Sequence, residues 1–133
     1  MDLEQIKTLA ALKYQHSQHA LSTLLAREGE LRAELERLSV LARETQTQPP
    51  EHAEIRAIGA DIIWLKWLGQ TQRQLNIALA QVLAQKEALM AEHRRTHGRK
   101  IVAEELALQA GDARRREKRQ AQLQSTISHT LVK

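Results

Sequence analysis

Residues 45–50 read Thr-Gln-Thr-Gln-Pro-Pro, and this short stretch decides the fold. It is polar and partly β-branched, and it ends in two prolines, so a helix arriving from the N-terminal side has to stop there. Pro50 suits the first turn of a new helix, where its missing N–H is no loss, and Glu51 and Glu54 lie favourably against the positive end of that helix. A chain that is helical on both sides of so short a break doubles back on itself.

Both sides of the break are helical in pattern. Upstream, Leu21, Leu24, Glu28, Leu31, Leu35, Leu38 and Ala42 recur in steps of three and four, with Glu28 as the single charged member. This is the seam of a left-handed coiled coil. A weaker stripe through Leu3, Ile6, Ala10 and Tyr14 carries the helix back to its start. Downstream, Ile55, Ile58, Ile62, Leu65, Leu68, Gln72, Leu75, Leu79, Val82, Lys86 and Leu89 repeat the same rhythm. The expected fold is all-α: one elongated antiparallel two-helix coiled-coil hairpin forming a single domain over residues 1–133, its second helix longer than its first. Helix one spans about 3–45, the turn 46–50, helix two about 51–97, and a helical extension about 99–130.

With a turn near residue 49, Leu35 is expected near Ile63 and Ile6 near Glu92. Helix one runs out opposite about residue 96, and the apolar series of helix two stops at Met90. Residues 99 to 133 are then left without an intramolecular partner. Their stripe (Ile101, Val102, Leu106, Leu108, Leu123, Ile127, Leu131) is thin, and Gly98 and Gly111 each cost about 1 kcal/mol against Ala in a helix.

Composition agrees with long helices. The chain has 133 residues, five Gly, two Pro, no Phe and 2% aromatic side chains, with Leu, Ala, Gln, Glu, Lys and Arg dominant. Without Cys there is neither a disulfide framework nor a thiolate zinc site. Met1-Asp2-Leu3-Glu4 is acidic and no signal-peptide h-region follows, and the longest apolar run falls short of the roughly 18 residues that span a bilayer. A cytoplasmic protein without direct membrane insertion is expected. The net charge of +4 is uneven: residues 92–133 carry 10 Lys or Arg against 5 Asp or Glu, whereas the rest of the chain is close to balanced.

Catalytic signatures are not found. The glycines are scattered singly, so no phosphate-binding loop exists, and a two-helix hairpin offers no concave pocket in which a carboxylate pair such as Glu104-Glu105 would be tuned. The chain is not expected to be an enzyme, nor to hold a cofactor. His93 and His97 share a helix face at i and i+4, as His16 and His19 do at i and i+3. A metal at His93 and His97 would need a third ligand, and the intervening Arg94 and Arg95 repel a cation, so no metal site is assigned.

Two features remain as partner-binding candidates. The first is Ile62-Ile63-Trp64-Leu65-Lys66-Trp67-Leu68-Gly69, which holds both tryptophans and is apolar nearly all round. One partner helix covers about a third of that circumference. The tryptophans either cap the turn end of the hairpin near Leu38 and Leu41, dock another protein, or join two copies of the chain. The second is the basic run Arg114, Arg115, Arg116, Lys118 and Arg119. It suits an acidic protein surface or simple solvation better than nucleic acid, because it has no interleaved aromatics and no basic-zipper spacing.

The layout, together with the texture of residues 88–109 ("ALMAEHRRTHGRKIVAEELALQ"), where a basic cluster interrupts helix two before a Glu-Leu run, resembles the FliJ/YscO family of flagellar and type III secretion export stalk proteins. The resemblance covers most of the chain and rests on architecture. It implies a non-enzymatic coiled-coil stalk and adaptor that engages a hexameric export ATPase, an export gate membrane protein and export chaperones. It also implies a place in the cytoplasm, peripherally associated with a membrane export complex. Family gate contacts come from one stripe in the first half of helix two, which falls at Leu68, Gln72, Leu75 and Leu79 beside Trp64 and Trp67. The basic run would meet the ATPase. Two alternatives stay open: a self-associating scaffold coiled coil, and a basic helical nucleic-acid-binding protein.

Overall fold

The computed structural model describes residues 2–47 and 59–132. They form two helices, α1 (Leu3–Gln46, 44 residues) and α2 (Ala60–Leu131, 72 residues), with no strand among the described residues. Helix α1 starts at a reciprocal cap: the Gln5 backbone N–H donates to the Asp2 carboxylate at 2.8 Å, and the Asp2 N–H donates back to Gln5 Oε1 at 3.1 Å. Two of the otherwise orphaned N–H groups are thereby satisfied. The helix ends within a residue of its expected limit. The proposed break at Pro49 and Pro50, and the placement of Glu51, Glu54, Ile55 and Ile58, lie outside the described residues. Gly59, just before α2, has φ +78°, a left-handed conformation that glycine adopts without strain.

Helix α2 differs from expectation in being continuous. It passes through Gly98 and Gly111 without interruption, so the expected limit at residue 97 and a separate extension from 99 are replaced by one helix. Both glycines keep a negative φ, and a helix pays only their weak propensity there.

The chain divides into two compact units, each pairing a piece of α1 with a piece of α2. One comprises His19–Met90, the other Met1–Gln18 with Ala91–Lys133. In the His19–Met90 unit, Leu31, Leu79 and Val82 form the buried core, with Leu24, Leu35, Leu75 and Ala78 packed around it. Glu28 faces Lys86, and Thr45 faces Trp64. Low numbers on α1 meet high numbers on α2, so the helices run antiparallel. In the other unit, Ser17 meets His93 and Thr96, Tyr14 meets His97 and Lys100, and Ile6 shares a groove with Val102 and Leu106.

These pairs correct the expected register. Leu35 packs on the same Leu31, Leu79 and Val82 cluster as Leu75 and Ala78, which does not include Ile63, and Ile6 lies beside Val102 and Leu106 rather than Glu92. Within each unit the pairs centre near residue 56 instead of 49. That is one heptad later, so each residue of α1 meets a partner two heptads further along α2. The α1 seam residues are the expected ones because a shift by whole heptads leaves the inward face unchanged.

Two consequences follow for α2. Its seam does not stop at Met90: Thr96, Ala103 and Ala107 are buried in the unit that holds residues 1–18, and the stretch without a partner begins near residue 113, not 99. At the other end, Ile62 and Leu65 are exposed rather than inward. Their counterparts in this register fall at or beyond Gln46, where α1 ends.

Candidate interaction surfaces

Of the three readings weighed for the tryptophans, the contact with the end of α1 is present in the structure. Trp64 donates its indole N–H to Thr45 Oγ1 at 3.0 Å, and that hydroxyl donates in turn to the Leu41 carbonyl at 2.9 Å. The indole is therefore tied to the last turn of α1. Trp67 stacks on Trp64 with ring centroids 5.2 Å apart and planes 19° from parallel, an offset geometry favoured by the ring quadrupoles. Yet Trp64 keeps 39% and Trp67 49% of its surface exposed, next to the more exposed Ile62 and Ile63. The result is an anchored, outward-facing apolar patch at the start of α2. The stack and the bond to Thr45 hold it against the last turn of α1.

The stripe beside it is placed differently. Leu68 is 2% exposed, Leu79 is buried in the core with Leu31, and Leu75 packs on the same cluster. Gln72 is half-buried. A partner approaching this face meets Trp64 and Trp67 but reaches Leu68, Leu75 or Leu79 only where the helices part. Ile62 and Ile63 of the same Ile62–Gly69 run are its most exposed apolar members.

The basic run lies on the unpartnered part of α2. Every described residue from Ala113 onward is exposed, and the helix runs on to Leu131, a further length of about 28 Å. Arg115 forms an ion pair with Asp112. Among the described residues Arg114, Arg116, Lys118 and Arg119 have no acidic partner within salt-bridge distance. On the same stretch Leu123, Ile127 and Leu131 recur every four residues and are exposed.

Two polar layers interrupt the seam, and spacing alone did not assign either of them. In the first, Glu28 is 8% exposed and accepts from Lys86 Nζ at 3.1 Å across the helix pair and from Arg32 at 3.1 Å along α1. The hydrogen bond from Lys86, followed by that from Arg32, holds its carboxyl below the ordinary value of 4.5. Both residues broke the apolar series in sequence, one on each helix and of opposite sign. That opposition is the signal that would have indicated the register. The second layer centres on buried Ser17, whose Oγ lies 2.9 Å from His93 Nδ1, 2.9 Å from Thr96 Oγ1 and 2.8 Å from the Tyr14 carbonyl. Thr96 also donates to the His93 carbonyl. Four contacts share the protons of two hydroxyls, so a hydrogen on His93 Nδ1 satisfies one more of them than the other tautomer does. Both histidines once weighed as metal ligands turn toward the Tyr14 ring, His93 at 5.0 Å and His97 at 5.4 Å between centroids, with Lys100 Nζ 4.8 Å from the ring centre. Among the described residues no group of three or more His, Cys, Asp or Glu is placed to hold a metal.

No described helix is long and apolar enough to cross a membrane. Comparison with known proteins adds no relative: no family model, no curated protein and no solved structure matches the chain.

Proposed function

We propose that the chain is a non-enzymatic coiled-coil stalk and adaptor of a bacterial flagellar or type III export apparatus, peripheral to a membrane export complex. In this reading it engages the hexameric export ATPase through its basic α2 overhang, and the export gate through the tryptophan patch. Export chaperones are further partners. The observation that carries it is the overhang, a helix from about residue 113 exposed on every side, with four cations free of acidic partners among the described residues. Continuous with the paired part of α2, the overhang has no packed face of its own to bury, and its charge favours an acidic or polar partner. The tryptophan pair, anchored yet exposed, supports a second protein contact in the manner of interface hot spots.

The test is a pull-down of the cognate export ATPase by wild type and by Arg114→Glu/Arg115→Glu/Arg116→Glu. Capture by wild type and its loss in the triple variant are expected; equal capture removes the role of the basic overhang. The exposed stripe of Leu123, Ile127 and Leu131 favours one rival, a self-associating scaffold. Sedimentation across a concentration series decides it, since a chain that remains monomeric counts against that rival.

A further inference from the structure

A groove in the unit of residues 1–18 and 91–133 has a composition that neither the tryptophan patch nor the basic overhang shares. Its floor is apolar, formed by Ile6 of α1 with Val102, Ala103 and Leu106 of α2, and its rim carries Arg94, Arg95 and Arg99. Its volume is about 570 Å³. No acidic residue lines it. Arg95 is paired with Glu92 at 2.8 Å, whereas Arg94 and Arg99 have no acidic partner within salt-bridge distance among the described residues.

Gly98 lies in the same groove and is not required by the fold. Its φ is not positive, so a side chain would be unstrained, and a Cβ built there meets no atom within 4 Å. Alanine would suit the helix better. The other glycines inside the helices also face open space, but of the described grooves only this one has a glycine in its lining. What a missing side chain provides here is close approach of something from outside to the α2 backbone.

We propose that this groove is a docking site for an acidic amphipathic helix of another protein. Its apolar side chains lie on Ile6, Val102 and Leu106, its backbone approaches over Gly98, and its carboxylates meet Arg94 and Arg99. The length fits: residues 94 to 106 rise about 18 Å along α2, about three turns of a partner helix. The groove is an open trough between two helices, the form that receives a helix, rather than the enclosing cleft that buries most of a small ligand. Arginine's planar fork suits carboxylates bidentately, which selects acidic over basic partners. The inference does not rest on the export reading, because it uses neither the overhang nor the tryptophans.

The probe is a fluorescein-labelled amphipathic peptide of about three helical turns, with Leu on one face and Glu flanking it, beside a twin with Lys in place of Glu. Full-length protein is titrated by anisotropy, with folding of every variant checked by far-UV circular dichroism. Wild type is expected to bind the Glu peptide at least roughly tenfold more tightly than the Lys twin, and Arg94→Glu/Arg99→Glu is expected to reverse that preference. Gly98→Leu fills the floor and abolishes binding of both peptides, while Gly98→Ala retains it. Arg114→Glu/Arg115→Glu/Arg116→Glu leaves Glu-peptide affinity within about twofold, which separates this site from the overhang and from general attraction to a basic chain. Absence of Glu-peptide binding, equal binding of the twins, or equal losses in the two charge-reversed variants overturns the proposal. So does a dimer in sedimentation that Gly98→Leu dissolves, which assigns the groove to a second copy. Saturable binding of laurate, lost in Gly98→Leu while peptide binding persists, overturns it in favour of a small amphiphile.

Discussion

Leu31→Ala tests the helix pairing where it is tightest. Leu31 is fully buried, at 0% exposure, against Leu79 and Val82, with Leu24, Leu35, Leu75 and Ala78 around it. The substitution deletes three carbons, worth about 2.4 kcal/mol at roughly 0.8 kcal/mol each. Part of the vacated space stays open, so the expected cost is about 3 kcal/mol, in the lower half of the roughly 2–5 kcal/mol range for buried Leu to Ala, because the seam between two helices can partly close. An unfolding entropy of about 2.1 cal/mol/K per residue over 133 residues is about 0.28 kcal/mol/K, so Tm falls by about 11 °C. Leu25→Ala is the reference. Leu25 sits on the adjacent turns, is 44% exposed and lies outside the core cluster, so its cost is expected below about 1 kcal/mol, or less than about 4 °C. Both variants are measured by thermal and urea unfolding at 222 nm. If Leu25→Ala matches or exceeds Leu31→Ala, the face assigned to the seam is wrong.

Four other outcomes are expected. Glu28→Lys and Lys86→Glu each lower the urea midpoint, and the double swap recovers most of it, because the pair spans α1 and α2 at 3.1 Å. The folded carboxyl of Glu28 lies below its ordinary value, so its contribution is complete above about pH 4.5 and is lost as pH falls through the lowered value; Lys86→Met flattens this acid limb in a pH series of unfolding curves. Leu68→Ala, at a buried seam position, costs about 2–5 kcal/mol, while Trp67→Ala next to it, at a half-exposed position, costs less, as urea midpoints will show. Ser17→Ala removes the hub of the second polar layer and costs about 1–3 kcal/mol in thermal unfolding, with a shift of the His93 ring resonances in NMR.

The candidate sites were legible to unequal degrees. The basic run and the tryptophans announce themselves by residue type, and both lie exposed in the structure. Leu68, Leu75 and Leu79 could not be told from a docking stripe by spacing, because seam and stripe share the same three-four rhythm; burial of Leu68, and packing of Leu75 and Leu79 in the Leu31 cluster, separate them. The groove at Gly98 was invisible in sequence. It needs Ile6 beside Leu106, and these are a hundred residues apart.

The two long helices of the described residues, and the face of α1 that turns inward, could be read from sequence, since they follow from helix propensity and from a heptad rhythm written in Leu21, Leu24, Leu31, Leu35 and Leu38. Which turns meet was settled by packing between the helices. A seam slid by whole heptads keeps the same residues inside, so apolar spacing cannot distinguish registers that differ by seven or fourteen positions. The choice rests on side chains with a specific mate: Glu28 with Lys86, and Ser17 with His93 and Thr96, buried polar groups that lose their hydrogen bonds in any other alignment. That choice brings Ala103 and Ala107 inside, leaves Ile62 and Ile63 outside, and sets the unaccompanied part of α2 at residue 113.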